Sequence, residues 1–147
     1  MADLLTETPI DPQEGWVADH VRQYVQSNGT EGHMWQEGVP TLLVTTRGNK
    51  TGLARRTALI YAKDGDNFVV IATYNGSPTH PDWFLNLEAD PNVVLQVGSE
   101  VFRATARRDV PSDREHLWGL MTAVWPDYDE YATRTTRKIP LVVFTRA

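Results

Sequence analysis

The apolar positions of this chain follow two periods. Between residues 12 and 27, Val17, Val21, Tyr24 and Val25 fall on one helical face, with Trp16 beside them, the stripe of an amphipathic helix. Pro12 suits a first helical position and Asn28-Gly29 a C-terminal stop. From residue 41 the pattern changes to short runs rich in Val, Ile, Leu, Thr and Tyr, at 41–45, 57–61, 68–73, 93–97, 101–107 and 139–145, which predict strands. Turn signals separate them: a glycine-bearing stretch at 48–52, Asp64-Gly65, and Gly98-Ser99-Glu100. Residues 68–72 are nearly all apolar, as expected of a central strand. Helical spacing returns after Thr79 or His80 as a cap, with Pro81 in first position, Trp83 and Leu87 on one face and a stop before Pro91. It returns again after a Ser112/Glu115 capping box, where Leu117, Leu120, Met121 and Val124 form a core face broken by Pro126. A short acidic and aromatic helix is expected at 127–134.

Connections this short require antiparallel pairing, because parallel strands need long crossovers. The expected fold is α+β: a small, mostly antiparallel split β-barrel of six or seven strands with three or four outer helices. The expected layout is a loose leader at residues 1–11, the amphipathic helix at 12–28, and a single cofactor-binding domain at 29–147. Residues 29–40 read as a loop whose His33 and Trp35 could reach a site from outside, with covering the core the favoured reading for both.

Composition narrows the function. The 147 residues are 41% hydrophobic and 22% charged, ordinary for one globular domain. The net charge of −5 argues against a general nucleic-acid binder. Cysteine is absent, which removes disulfides and thiolate chemistry. With no signal-peptide pattern and no membrane-length apolar run, a cytoplasmic location is expected. The amphipathic helix offers the one route to peripheral membrane contact. Its Asp11, Glu14 and Asp19 against Arg22 alone disfavour anionic lipid.

The four histidines show no metal-ligand spacing, and neither a nucleophile elbow nor a glycosidase-like carboxylate pair is legible. Against the acidic background, Arg47, Lys50, Arg55 and Arg56 cluster around Gly48 and Gly52. Lysine, arginine, threonine and free backbone N–H groups suit a phosphate or carboxylate. Residue types alone leave this turn as either an anion clamp or a solvated loop. Tyr74, Trp83, Phe84, Trp125, Tyr128 and Tyr131 supply an aromatic wall. Together these suit a planar phosphorylated cofactor that carries the chemistry itself.

Three ordered segments, GNKTGLARRTALIYAKDGDNFVVIAT, HPDWFLNLEADPNVVLQVG and WPDYDEYATRTTRKIPLVVF, resemble the deazaflavin-dependent nitroreductases of actinobacteria, split-barrel oxidoreductases that use coenzyme F420. The likeness covers residues 40–144. It implies that Asn49, Lys50, Thr51, Gly52, Arg55 and Arg56 grip the phosphate and acidic lactyl-glutamyl tail. It implies that Thr57, Ala58, Ile71, Ala72, Thr73 and Tyr74 line the cofactor, and that Asp82, Trp83, Phe84, Leu85 and Asn86 close another side. Trp125, Tyr128 and Tyr131 are then expected on the substrate side. Tyr128 or Tyr131 is the expected hydroxyl donor, with Thr73 as a hydrogen bond to the ring. The implied activity is hydride transfer to a quinone, nitroaromatic or similar flat electrophile. Asn49 stands where the family commonly has Arg or Lys, Ala58 where proline is usual, Tyr74-Asn75 in place of Lys-Gly, and Trp125 where tyrosine is frequent among nitroimidazole reducers. A non-catalytic deazaflavin carrier and an FMN-dependent split-barrel oxidase are the competing readings.

Overall fold

The computed structural model describes residues 3–73 and 76–147. The elements are α1 (Gly15–Gln26), β1 (Met34–Gln36), β2 (Val39–Arg47), β3 (Ala54–Ile60), β4 (Ala62–Asp64), β5 (Asn67–Ile71), α2 (Asp82–Ala89), β6 (Asn92–Val97), β7 (Glu100–Arg108), α3 (Arg114–Val124), α4 (Tyr128–Thr133) and β8 (Leu141–Arg146). The strands form one sheet in the order β1-β2-β6-β7-β8-β5-β4, with β3 also paired to β2. Every ladder is antiparallel.

The curl of this sheet follows from period-2 alternation. Leu42, Val44, Phe68, Val70, Leu95, Phe102, Val142 and Phe144 point inward and form one buried cluster with Phe84 and Leu87 of α2. The alternate residues Val69, Ile71, Leu141 and Val143 point outward and are covered by Leu117 and Met121 of α3. Strand β5 is therefore apolar on both faces and lies between β4 and β8, the central position its composition implies. Helix α1 packs its Val21 and Tyr24 on Leu43, on the outer face of β2. Val21 and Tyr24 are thus engaged by the sheet while Trp16 and Val25 stay exposed, and no helix among the described residues is long and apolar enough to cross a membrane.

The sheet divides at Tyr61. Its N–H donates to the Pro40 carbonyl at 3.1 Å. Before it the chain pairs with β2, and after it with β5. Residues 57–61 read as one strand and 62–67 as the turn after it, but β3 ends at Ile60 and residues 62–64 form β4 against β5. No ladder joins β3 to β5 among the described residues, and this opening is where the site lies.

Several local expectations are corrected. The described strands number eight, because β4 is separate and because the segment expected as a loop contains β1. Helix α3 is not opened by Ser112: Asp113 is the N-cap and bonds no helical N–H from its side chain. Its carboxylate instead accepts from the Val110 N–H and from Arg107, both at 2.9 Å, closing the turn ahead of the helix. Pro81 is the extended N-cap of α2 rather than its first residue. The segment ahead of α1, expected as loose, runs along β3. The Ile10 N–H donates to the Ala54 carbonyl at 2.8 Å, and the Ile10 carbonyl accepts from Arg56 at 2.9 Å. A backbone edge is thereby satisfied.

Candidate active site

Two adjoining hollows occupy the opening. The first is a groove of about 390 Å³ between the β2–β3 turn and α2, lined by Asn49, Lys50, Thr51, Arg55, Arg56, Thr57, Asp82, Trp83, Leu85 and Asn86, with Thr46 and Gly48 at its base. The second is an aromatic cavity of about 220 Å³, lined by Thr57, Ala58, Ile71, Thr73, Trp83, Trp125, Tyr128 and Tyr131, together with Trp16, Val17, Trp35, Leu59, Ile60 and Pro81. Thr57 and Trp83 border both, so the two lie side by side. The cavity alone is smaller than the usual ligand site of roughly 300–1,000 Å³.

The groove owes its shape to a tightly bonded turn. Gly48 donates to Leu53 and Gly52 donates to Gly48, both at 2.8 Å. A Cβ on Gly48 would lie 2.9 Å from the Thr51 hydroxyl and 3.1 Å from the Leu53 carbonyl. Buried Asn86 ties the turn to α2: its Oδ1 accepts from the Asn49 N–H at 3.0 Å and its Nδ2 donates to the Thr46 hydroxyl at 3.1 Å. Satisfied on both sides, Asn86 holds the turn in place.

The four cations are not equivalent. Arg56 gives a two-pronged hydrogen bond to Asp11, at 2.6 and 2.8 Å. Arg47 bonds Glu7 at 2.6 Å and the Gly52 carbonyl at 2.9 Å, and does not line the groove. Lys50 and Arg55 are exposed and make no ion pair among the described residues. The charge available to an anion in the groove is chiefly theirs.

In the cavity, Trp16 stacks on Trp35 with centroids 5.6 Å apart, and Trp35 meets Trp125 at 5.2 Å. Tyr128 is buried and packs edge-to-face with Tyr131 at 5.9 Å. Burial pushes the Tyr128 phenol well above the usual tyrosine range, so it stays protonated. The Tyr131 hydroxyl accepts from the Trp125 indole N–H at 3.4 Å, which leaves its own proton to donate. The Thr73 hydroxyl accepts from Gly76 at 3.0 Å and likewise keeps a donor.

Arg137 braces the loop after β5. Its guanidinium donates to the Ser77 carbonyl (3.0 Å), the Ala72 carbonyl (3.2 Å) and His80 Nδ1 (3.1 Å). Desolvation, with Arg137 beside it, lowers His80 and favours the neutral ring that can accept this bond. Ala72 and His80, the neighbours of the cavity-lining Thr73 and Pro81, are thereby tied to one guanidinium.

Three residues expected at the cofactor lie elsewhere. Phe84 and Ala72 are fully buried in the barrel cluster, because inward alternation of β5 and the buried face of α2 turn them from the opening. Gly52 lines neither hollow and shapes the turn instead, at φ 73° with its carbonyl bonded to Arg47. Tyr74 lies outside the described residues. Conversely, Trp35, for which covering the core is the favoured expectation from sequence, lines the cavity, and Trp16 joins it. His33 bonds the buried Tyr61 hydroxyl at 2.8 Å, as a core-covering residue does.

An open antiparallel barrel with a cationic groove beside an aromatic cleft defines a split-barrel protein. The comparisons narrow this class. Residues 16–146 match the family model for F420H(2)-dependent quinone reductase, and the chain belongs to that family. An F420H(2)-dependent quinone reductase of Mycobacterium tuberculosis is 39% identical over 130 residues, spanning 86% of this chain and 87% of the relative. Among solved structures, an F420-H2 dependent reductase (FDR-A) superposes with a TM-score of 0.67 at 36% identity, covering 72% of this chain and 94% of that one. A domain-swapped dimer superposes with a TM-score of 0.70 at 34% identity, covering 86% and 98%.

Proposed function

We propose that this chain is an F420H2-dependent reductase that passes hydride to a quinone, or to a nitroaromatic of similar flatness. The observation that carries the reading is that the cationic groove and the aromatic cavity adjoin at Thr57 and Trp83. The donor set fits the cofactor: Lys50, Arg55 and the Thr51 hydroxyl face the space for a phosphodiester and carboxylate tail, and apolar β3 with Trp83 walls the space for a flat ring. Reduced F420, when bound, supplies the hydride from its C5 carbon.

The chain's own residues do the rest. Trp35 and Trp125 offer ring faces to a planar acceptor. Tyr128, Tyr131 and Thr73 present O–H donors toward the cavity, where charge on an acceptor oxygen would develop. The indoles and apolar β3 side chains exclude water, which strengthens those hydrogen bonds. The assay is direct: reduced F420 is oxidised by menadione on adding the protein. Cofactor binding without turnover would mark a carrier instead, and purified protein that retains FMN would mark a flavin oxidase.

Lys50→Ala tests the groove. It is expected to weaken F420 binding by about 1–3 kcal/mol, the range for a charge-assisted hydrogen bond, read from quenching of tryptophan fluorescence. Unchanged affinity would mean that the tail binds away from this turn.

A further inference from the structure

Arg56 lines the groove, yet Asp11 already holds its guanidinium. The pair uses Nε and one terminal nitrogen against both carboxylate oxygens, at 2.6 and 2.8 Å, the strongest geometry available to these groups. The arrangement is reinforced by the backbone, since the Arg56 N–H donates to the Ile10 carbonyl at 2.9 Å. The Arg56 side chain is 19% exposed and that of Asp11 34%, so the pair is partly shielded from water. Arg56 also borders the small crevice beneath Leu4, Leu5 and Pro9. It therefore stands between the groove and the N-terminal segment, and the acid of that segment occupies the arginine fork.

We infer that Asp11 is a specificity-determining residue: by engaging Arg56 it limits the groove's open positive charge to Lys50 and Arg55, and so favours cofactor forms with short anionic tails over long polyglutamate ones. The inference rests on the reading of the groove as the cofactor-tail site. A tail contributes a phosphodiester and then further carboxylates as it lengthens. Two open cations, offset in part by the Asp82 carboxylate on the α2 wall of the groove, match the first charges of that series. Each additional carboxylate would need a third cation, and Arg56 is the one beside the groove whose fork is taken. Preference between tails is a difference of two affinities, and neutralising one local cation acts on that difference.

The test is equilibrium titration by tryptophan quenching with short-tailed and with long-tailed F420, in unsubstituted protein and in Asp11→Asn. The substitution keeps the shape of Asp11 and the Ile10 backbone bonds but releases the Arg56 charge. Affinity for the long-tailed form is expected to rise about twofold to fivefold, as for a partly exposed ion pair gained, with the short-tailed form changed less than about 1.5-fold. Asp19→Asn is the control for net charge alone. It removes the same charge from the exposed Asp19–Arg22 pair on α1, which lines neither the groove nor the crevice at Arg56, and should leave the ratio between tails unaltered. Asp11→Asn combined with Arg56→Gln should return the ratio to that of the unsubstituted protein.

An equal loss for both tails in Asp11→Asn would make Asp11 an orienting partner of Arg56 and overturn the inference. An unchanged ratio would overturn it as well, as would an equal shift in Asp19→Asn. If the unsubstituted protein quenches with neither form, the reading of the groove falls and this inference with it. Quenching by both forms with no effect of Asp11 defeats the inference alone.

Discussion

Tyr128→Phe is expected to lower turnover about a hundredfold while leaving F420 affinity within about twofold, the lower end of what a positioned proton donor contributes. At 1.36 kcal/mol per tenfold, that is about 2.7 kcal/mol of transition-state stabilisation. The substitution removes one oxygen and keeps the ring. The ring packs within the cluster built from Leu117, Met121 and Leu141, and edge-to-face against Tyr131, so the fold should hold. The hydroxyl lies at the cavity wall in a setting that disfavours its ionised form. It therefore offers a proton at every pH where the protein is folded, and its loss should flatten no titration in the neutral range. The measurement is kcat for reduced F420 and menadione set beside cofactor affinity by tryptophan quenching. Equal losses in both would assign the hydroxyl to binding. Unchanged kcat would shift the donor role to Tyr131, whose oxygen already accepts from the Trp125 indole and whose proton is free.

Residues 41–47 and 54–60 show why much of this fold is legible from sequence. Leu42 and Val44 alternate with Leu43 and Thr45, and a glycine-bearing turn separates two β-branched runs, so strand, turn and antiparallel partner follow from local chemistry. Residues 57–62 show where that logic stops. Nothing in the side-chain pattern marks Tyr61 as the point where the backbone leaves β2 for β5, since either partner satisfies the same apolar face. The site divides in the same way. Lys50, Arg55 and Trp83 reach it through short connections and stand out in the sequence. Trp16 and Trp35 reach it only because α1 lies on the sheet and β1 pairs with β2. Separation also hides the Asp11–Arg56 and Glu7–Arg47 pairs, which join a leader to a turn more than a helix away. A cluster of like charges is visible in a sequence; its distant counter-charges are not.

Gly29→Ala carries the largest expected stability loss, because it combines backbone strain with a contact that cannot relax. Gly29 sits at φ 83° just past α1, and a Cβ there would lie 2.0 Å from the Gly98 carbonyl oxygen and 2.1 Å from its carbon. Both obstacles are backbone of the β6–β7 turn. That turn is itself anchored, since the Gly98 N–H donates to the Tyr24 hydroxyl at 2.7 Å, and the same hydroxyl donates to the Thr41 carbonyl at 3.0 Å. Burial raises the Tyr24 phenol to about 12, so this anchor remains a neutral donor. Relief of the clash would have to move α1 off the sheet, and α1 carries Trp16 and Val17 to the cavity mouth. Gly38→Ala supplies the comparison. Gly38 has a similar φ of 77° with nothing within 4 Å of a built Cβ, so it reports strain alone, about 1–2 kcal/mol. Gly29→Ala should cost about 4 kcal/mol or more, in the exceptional range for a single substitution, read as a difference in midpoint during denaturant unfolding. It should also weaken quinone turnover more than cofactor binding, since the displaced helix borders the acceptor end rather than the groove. Equal costs for the two glycines would mean that α1 is free to shift, and the indole wall would then not be a fixed part of the site.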